Sequence, residues 1–302
     1  PRRHSSAASD VYKRQNQLNL FIELTRLKKP IGYMLLFWPC VWGLTMAYDF
    51  TKSLNDYFFY LVLFFLGSVL MRSAGCIVND ILDRKFDKKV SRTKNRPIAS
   101  GKISVKLGLF YSSLLCLFAF FVLINFNLFT IILALASMPL AFTYPLMKRY
   151  TYWPQLFLGI TFNYGLLLGW TSIKGEIDII PILLYLGAIF WTLGYDTIYG
   201  FQDIEDDEII GVKSTSIKFK ESSKIFLTIC YLIFISVLLI TGIKLTLSKF
   251  FFLIVFLIMI HLFFFQIFRL NKNDKNLCLN IFKSNNLLGL MIFISIILGK
   301  IL

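Results

Sequence analysis

A chain of 302 residues that is 57% hydrophobic and 17% aromatic, with a mean hydropathy of +0.67, is more apolar than soluble domains, whose apolar share is roughly 45–50%. That composition does not suit a water-soluble fold. The net charge of +15 would by itself suit nucleic acid, but the basic residues are spread through short links rather than gathered on one surface.

Residues 1 to about 15, PRRHSSAASDVYKRQ, share no pattern with the rest of the chain and read as a non-native leader, so 16–302 is taken as a single polytopic domain. From there, apolar blocks near the length of about 20 residues that a helix needs to cross a bilayer alternate with short polar links. The spans are predicted near 30–49, 58–78, 108–124, 127–146, 154–171, 180–198, 225–243, 249–268 and 284–302. The expected fold class is an all-α integral membrane protein with about nine transmembrane helices in a bundle.

Most link Lys and Arg residues precede the first span or lie in even-numbered links, whereas the odd-numbered links and their edges hold Lys52, Lys174, Lys244 and Lys249. By the positive-inside rule the amino terminus and the two long links, about 79–107 and 199–224, face the cytoplasm of a bacterial inner membrane, and the carboxy terminus faces outside. The basic excess then reads as topology and capture of anionic ligands at a lipid bilayer, with no nucleic acid involved.

Cys40, Cys76, Cys116, Cys230 and Cys278 have no paired spacing and lie mostly in apolar spans, so neither a disulfide nor a zinc site is predicted. His261 stands alone in the eighth span, with no second native His to join it on a haem or copper.

Acidic residues are few, 17 in all, and about half gather in two stretches, both at cytoplasmic span ends. The first is Asn79-Asp80-Ile81-Leu82-Asp83-Arg84-Lys85-Phe86-Asp87, in which Asn79, Asp80, Asp83 and Asp87 share one face if the helix continues. The second runs from Asp196 through Asp203 to Glu205, Asp206 and Asp207, with Asp196, Asp203 and Asp207 expected on one helical stripe. Carboxylates stacked at membrane depth repel one another and each costs about 2.5–3.5 kcal/mol to insert, so a counter-ion is needed. Oxygen ligands without His or Cys point to Mg²⁺, which bridges one or two carboxylates to phosphate oxygens. Two such clusters on one membrane face suit a diphosphate gripped between two metal sites.

Basic residues supply the other half of such a site. Arg92, Arg96, Lys148, Arg149 and Lys213 lie in the same links, where guanidinium forks and mobile ammonium groups can hold phosphate oxygens. Arg72 differs, lying about two turns inside the second span on the aspartate face, directed at the same cavity.

NDxxDRxxD at the end of the second span, RTxxRPIxSG after it, YPxxKR after the fourth, DTxYxxQDxEDD with VKST after the sixth and RLKKPIG before the first together resemble the UbiA superfamily of intramembrane prenyltransferases, most closely its members acting on 4-hydroxybenzoate. The likeness runs from about residue 20 to 220. It implies a nine-helix bundle around a central cavity open laterally to the bilayer, Mg²⁺ as cofactor, and polyprenyl diphosphate and 4-hydroxybenzoate as partners. It implies metal and diphosphate roles for Asn79, Asp80, Asp83, Asp87, Asp203 and Asp207, and roles near the substrate for Asp196, Tyr144, Lys148 and Arg72. Homogentisate, dihydroxynaphthoate, haem and chlorophyllide are alternative acceptors served by the same aspartates. A transporter is the rival from another class, but it calls for polar groups across the bilayer midplane rather than acids gathered at one face.

Overall fold

The computed structural model describes residues 15–302; the proposed leader lies almost wholly outside them. The chain opens with a short helix over 15–25, α1, whose Leu24 is fully buried against Ile77, Ile98 and Ile103. Nine apolar helical segments come after it, at the positions the hydropathy blocks mark. They are α2 (Ile31–Ala47), α3 (Leu54–Asp87), α4 (Val105–Leu123), α5 (Leu128–Thr143) running into a 3₁₀ turn (Tyr144–Arg149), α6 (Pro154–Lys174), and α7 (Ile179–Gly200). Two short helices, α8 (Ile204–Ile210) and α9 (Thr215–Lys218), precede α10 (Ser223–Lys244), α11 (Lys249–Ile260) continued as a π-helix (His261–Phe268), and α12 (Lys275–Ile301). Eight of the nine are long and apolar enough to cross a membrane among the described residues; α2, with 17 residues and Pro39 inside it, is shorter.

Helix starts are set by the local chemistry. Ser53, Ser104, Asn127, Asp178 and Asp274 each accept a hydrogen bond from a first-turn amide of α3, α4, α5, α7 and α12, satisfying donors that a helix leaves open. The side chains left exposed on α4 and α5 are large and apolar, Phe110, Phe118, Phe121 and Ile132 among them, as a lipid-facing surface requires.

Lipid is as apolar as leucine, so close packing and internal polar bonds must hold the bundle together. At the crossing of α2 and α6 the backbones nearly touch: a Cβ at Gly169 would stand 2.1 Å from the Cys40 carbonyl oxygen. Gly169→Leu is expected to abolish the monodisperse folded species in size-exclusion chromatography, whereas Gly67→Leu, where a Cβ meets nothing within 4 Å, is expected to leave it intact. A buried polar chain ties the last three spans to α7: the Tyr231 hydroxyl donates to Gln266 Oε1 (2.6 Å), while Gln266 Nε2 (3.1 Å) and Trp191 Nε1 (2.9 Å) both donate to Asn285 Oδ1. It fixes α7, which carries Asp196, against α12.

Helix α3 decides where the chemistry sits. Its 34 residues extend about 50 Å at ~1.5 Å per residue, well beyond a hydrocarbon core of about 30 Å, so its carboxy-terminal turns stand clear of the apolar layer. The acids Asp80, Asp83 and Asp87 ride on those turns.

Candidate active site

The three acids in the carboxy-terminal turns of α3 are buried, Asp80 and Asp83 at 2% exposure and Asp87 at 6%. Each is met by at least one basic side chain from outside α3. Asp80 Oδ1 accepts from Arg26 Nη2 at 2.5 Å and Arg96 Nη1 at 3.1 Å, and Asp87 Oδ2 accepts from Arg96 at 2.9 Å. Asp83 Oδ2 accepts from Lys148 Nζ at 2.6 Å, with Arg149 Nη2 at 3.7 Å from Oδ1. Arg96 is brought back over α3 by the loop after it, which folds around buried Val90, Ile98 and Ala99 and is tied by Thr93 Oγ1 donating to the Asp87 carbonyl at 3.0 Å.

The same loop reaches the second acidic stretch. Arg92 pairs with the Asp203 carboxylate, Nε donating to Oδ1 at 2.8 Å, and its Nη1 donates to the Tyr199 hydroxyl at 3.2 Å; the Ser91 amide donates to Asp206 Oδ2 at 3.1 Å. The single stripe expected for Asp196, Asp203 and Asp207 is not formed. Helix α7 stops at Gly200, the chain turns through 201–203, and α8 restarts with Asp203 as its N-cap, so Asp203 and Asp207 lie one turn apart on α8 while Asp196 stays inside α7. Burial, then the neighbouring Asp203 charge, pushes the Asp207 carboxyl up to about 6 against the downward pull of Lys148 and Arg92. Lys148 thus acts on both clusters.

The remaining expected site residues divide between the rim of the acids and the cavity below them. Arg149 donates to the Leu82 carbonyl at 2.7 Å and lies over the Phe86 ring. Asn79 is half-buried, and its side chain makes no hydrogen bond among the described residues. Lys213 departs from expectation: its ammonium turns to the Tyr150 carbonyl (3.3 Å) and the Tyr152 ring rather than to any carboxylate, while its backbone amide donates to the Lys148 carbonyl at 2.8 Å. Its place is to brace the turn that carries Lys148.

Below the acids, among α2, α3, α4, α5 and α6, lies a cavity of about 340 Å³. Its wall along α3 runs from Gly75 to Leu63, about 18 Å of helix. Most of the lining is apolar, and Arg72 is its one charged side chain. Arg72 stacks on Phe162 at 5.2 Å and, among the described residues, makes neither an ion pair nor a hydrogen bond. Gly32 makes room for it, since a Cβ there would stand 2.8 Å from Arg72 Nε. Tyr144 lines the same cavity. Asp196 is half-buried, forms no ion pair or side-chain hydrogen bond among the described residues, and lies within electrostatic reach of Arg72.

The donor set fits Mg²⁺ held together with phosphate. Asp83 Oδ1 is buried without a hydrogen-bond donor, and the donors are hard carboxylate oxygens. No three His, Cys, Asp or Glu side chains among the described residues converge on one point. That geometry is poor for a caged ion but suffices for one that completes its shell with phosphate oxygens and water.

A profile of the UbiA prenyltransferase family matches residues 36–295. The chain belongs to that family. The family member from Bos taurus, a mitochondrial 4-hydroxybenzoate polyprenyltransferase, is 43% identical over 297 residues, covering 98% of this chain and 79% of the relative. A 4-hydroxybenzoate octaprenyltransferase from Pseudomonas fluorescens is 40% identical over 95% of this chain and 97% of its own length. Among solved structures, a UbiA homolog from Archaeoglobus fulgidus bound to GPP and Mg²⁺ superposes with a TM-score of 0.70 at 18% identity, covering 92% of this chain and 99% of that one.

Arg26 and Tyr199 are the contacts that motif reading left out of the site. Arg26 adopts a left-handed backbone (φ 57°), a conformation that costs a non-glycine residue energy and that here aims its guanidinium at Asp80. Its position in the RLKKPIG run was visible, but next to a span it reads equally as a topology residue.

Proposed function

We propose that this chain transfers a polyprenyl group from polyprenyl diphosphate to the ring carbon ortho to the hydroxyl of 4-hydroxybenzoate, in a bacterial inner membrane, with the acidic links on the cytoplasmic side. The observation that carries this reading is the pairing of two carboxylate clusters, wrapped by Arg26, Arg92, Arg96, Lys148 and Arg149, with a long apolar cavity whose one charged group is Arg72. The relatives named for this acceptor, near 40% identical over almost the whole chain, support the same assignment. Lys and Arg placement and the Pseudomonas relative support the membrane and its side.

Asp80, Asp83, Asp87, Asp203 and Asp207 would hold Mg²⁺ against the diphosphate, and the metal would supply Lewis-acid neutralisation of the charge left on the departing group. The chain's own groups do the rest. The five cations are engaged by carboxylates, and a diphosphate would take them over, each guanidinium or ammonium exchanging one anion for another. As the allylic C–O bond breaks, its electron pair leaves with the diphosphate, where Arg92, Arg96 and Lys148 stabilise it. The apolar cavity holds the prenyl chain and keeps water from the allylic cation. The ring carbon then forms the new C–C bond and the ring loses its proton.

The deciding experiment incubates purified protein in lipid with a prenyl diphosphate and a panel of phenolic acceptors, with and without EDTA, and identifies products by mass spectrometry. Prenylated 4-hydroxybenzoate is expected, vanishing with EDTA and restored by excess Mg²⁺. Full turnover in metal-free buffer, or product from another acceptor alone, would refute the assignment.

A further inference from the structure

Behind the cavity wall, where α6 passes α7, three polar side chains meet inside the bundle: Asn163 and Thr192, each 0% exposed, and Tyr195, 1% exposed. Asn163 Nδ2 faces the carbonyls of Gly159 (2.8 Å) and Ala188 (3.1 Å) and donates to the Thr192 hydroxyl at 2.7 Å. The two carbonyls fix which way the amide points, since turning it over would set its oxygen against two other acceptors. Asn163 Oδ1 is therefore a buried acceptor, and among the described residues nothing donates to it. Tyr195 stands one turn from Thr192 on α7, and its hydroxyl comes close to the Thr192 hydroxyl without bonding it. That hydroxyl too is buried with no hydrogen-bond partner among the described residues. Its ring is wedged against Trp191, 4.9 Å between ring centres, and Phe282, 5.8 Å, so it cannot swing away to find one.

An acceptor without a donor and a hydroxyl without a partner, on either side of one threonine, are each costly alone. A molecule that both donates and accepts relieves them together. Water does both, and with Thr192 Oγ1 it would have about three partners, the usual number for a buried water. We propose that Asn163 Oδ1, Thr192 Oγ1 and the Tyr195 hydroxyl hold one buried water, and that this bridge makes Asn163 and Tyr195 positioning residues for the acceptor end of the cavity. The water donates to Asn163 Oδ1 and accepts from the Tyr195 hydroxyl, tying α6 to α7. On its other side α7 is tied to α12 through Trp191 and Asn285. The neighbours in sequence carry the consequence. Phe162 precedes Asn163 and holds Arg72 against its ring at 5.2 Å, while Asp196 follows Tyr195, whose hydroxyl lies within electrostatic reach of both Arg72 and Asp196. The bridge itself does not depend on which acceptor the enzyme uses; its effect on acceptor affinity rests on the 4-hydroxybenzoate assignment.

The test is a double-mutant cycle read by thermal unfolding of the full chain in detergent, with Tyr195→Phe and Asn163→Leu singly and together. Removing a hydroxyl that bonds nothing leaves the unfolding midpoint unchanged or raises it, whereas removing one that holds a water is expected to lower it by about 2 °C or more. In Asn163→Leu the water has lost its acceptor, so adding Tyr195→Phe there is expected to lower the midpoint by less than about half as much as in wild type. Thr192→Val, which exchanges a hydroxyl for a methyl, is the second background should Asn163→Leu not fold. For the positioning role, Tyr195→Phe is expected to raise the KM for 4-hydroxybenzoate about fivefold while the KM for the prenyl diphosphate stays within about twofold of wild type. A midpoint that Tyr195→Phe leaves unchanged or raises, or an equal drop in every background, would overturn the bridge. Two KM values that move together, or neither moving, would overturn the positioning role. Wild type that prenylates only another acceptor would overturn the 4-hydroxybenzoate reading and the acceptor half of this one, while the unfolding cycle still decides the bridge.

Discussion

Asp83→Asn and Asp203→Asn are each expected to lower turnover by roughly 10²–10³-fold while leaving the amount of folded, membrane-inserted protein unchanged. Asn keeps the size of the side chain and removes the charge, so packing around α3 and α8 is preserved. At Asp83 the loss strikes a carboxylate with one oxygen bonded to Lys148 and the other buried without a donor, the oxygen best placed to receive a cation. At Asp203 it strikes the residue that anchors Arg92 and starts α8. The measurement is product formed per mole of purified protein at saturating substrates, beside a size-exclusion trace. If either variant keeps about half of wild-type turnover, its cluster is a set of solvated acids paired with nearby bases and nothing more.

Much of this arrangement was legible in the residues. Spans announce themselves by length and hydropathy, because a chain in lipid must satisfy its backbone within each segment, and helices are the means. The grouping of the α3 acids was readable from spacing, since one unbroken helix of 34 residues makes offsets of three and four into neighbours. The same rule failed for Asp196, Asp203 and Asp207, because spacing carries no warning that a helix will stop: Gly200 ends α7 and a turn at 201–203 separates the parts of the stripe. Lys213 misled for a different reason. A lysine in a link has a long free stem, and its neighbours in space, Tyr150 and Tyr152, come from another link that sequence spacing does not bring near. Arg26 was hidden because its aim depends on a left-handed backbone angle that no side-chain pattern encodes.

Each of the five cations that wrap the acidic clusters pairs with a carboxylate, whereas Arg72 forms no ion pair or hydrogen bond among the described residues and has Asp196 only within electrostatic reach. The difference separates two kinds of recognition. Arg26, Arg92, Arg96, Lys148 and Arg149 exchange partners when a diphosphate arrives, so losing one of them is partly offset by the rest. Arg72 is held by Phe162 stacking and by the space at Gly32, in the wall of an apolar cavity, with no bonded carboxylate to exchange among the described residues. Burying a guanidinium without a bonded carboxylate is costly, and an acceptor carboxylate beside the prenyl chain would offset that cost.

Arg72→Ala is therefore expected to raise the KM for 4-hydroxybenzoate by roughly 30-fold or more, the scale for deleting one partner of a buried charge pair, while the KM for the prenyl diphosphate changes by less than about threefold. Folding should be spared, because Arg72 makes no hydrogen bond or ion pair among the described residues whose loss would strand a partner. Arg72→Lys keeps the charge without the planar fork, and is expected to recover part of the acceptor affinity. The two constants must come from separate titrations with the other substrate saturating. A rise confined to the diphosphate KM would move Arg72 to the leaving-group side of the reaction, and an unchanged acceptor KM would end the carboxylate-clamp assignment.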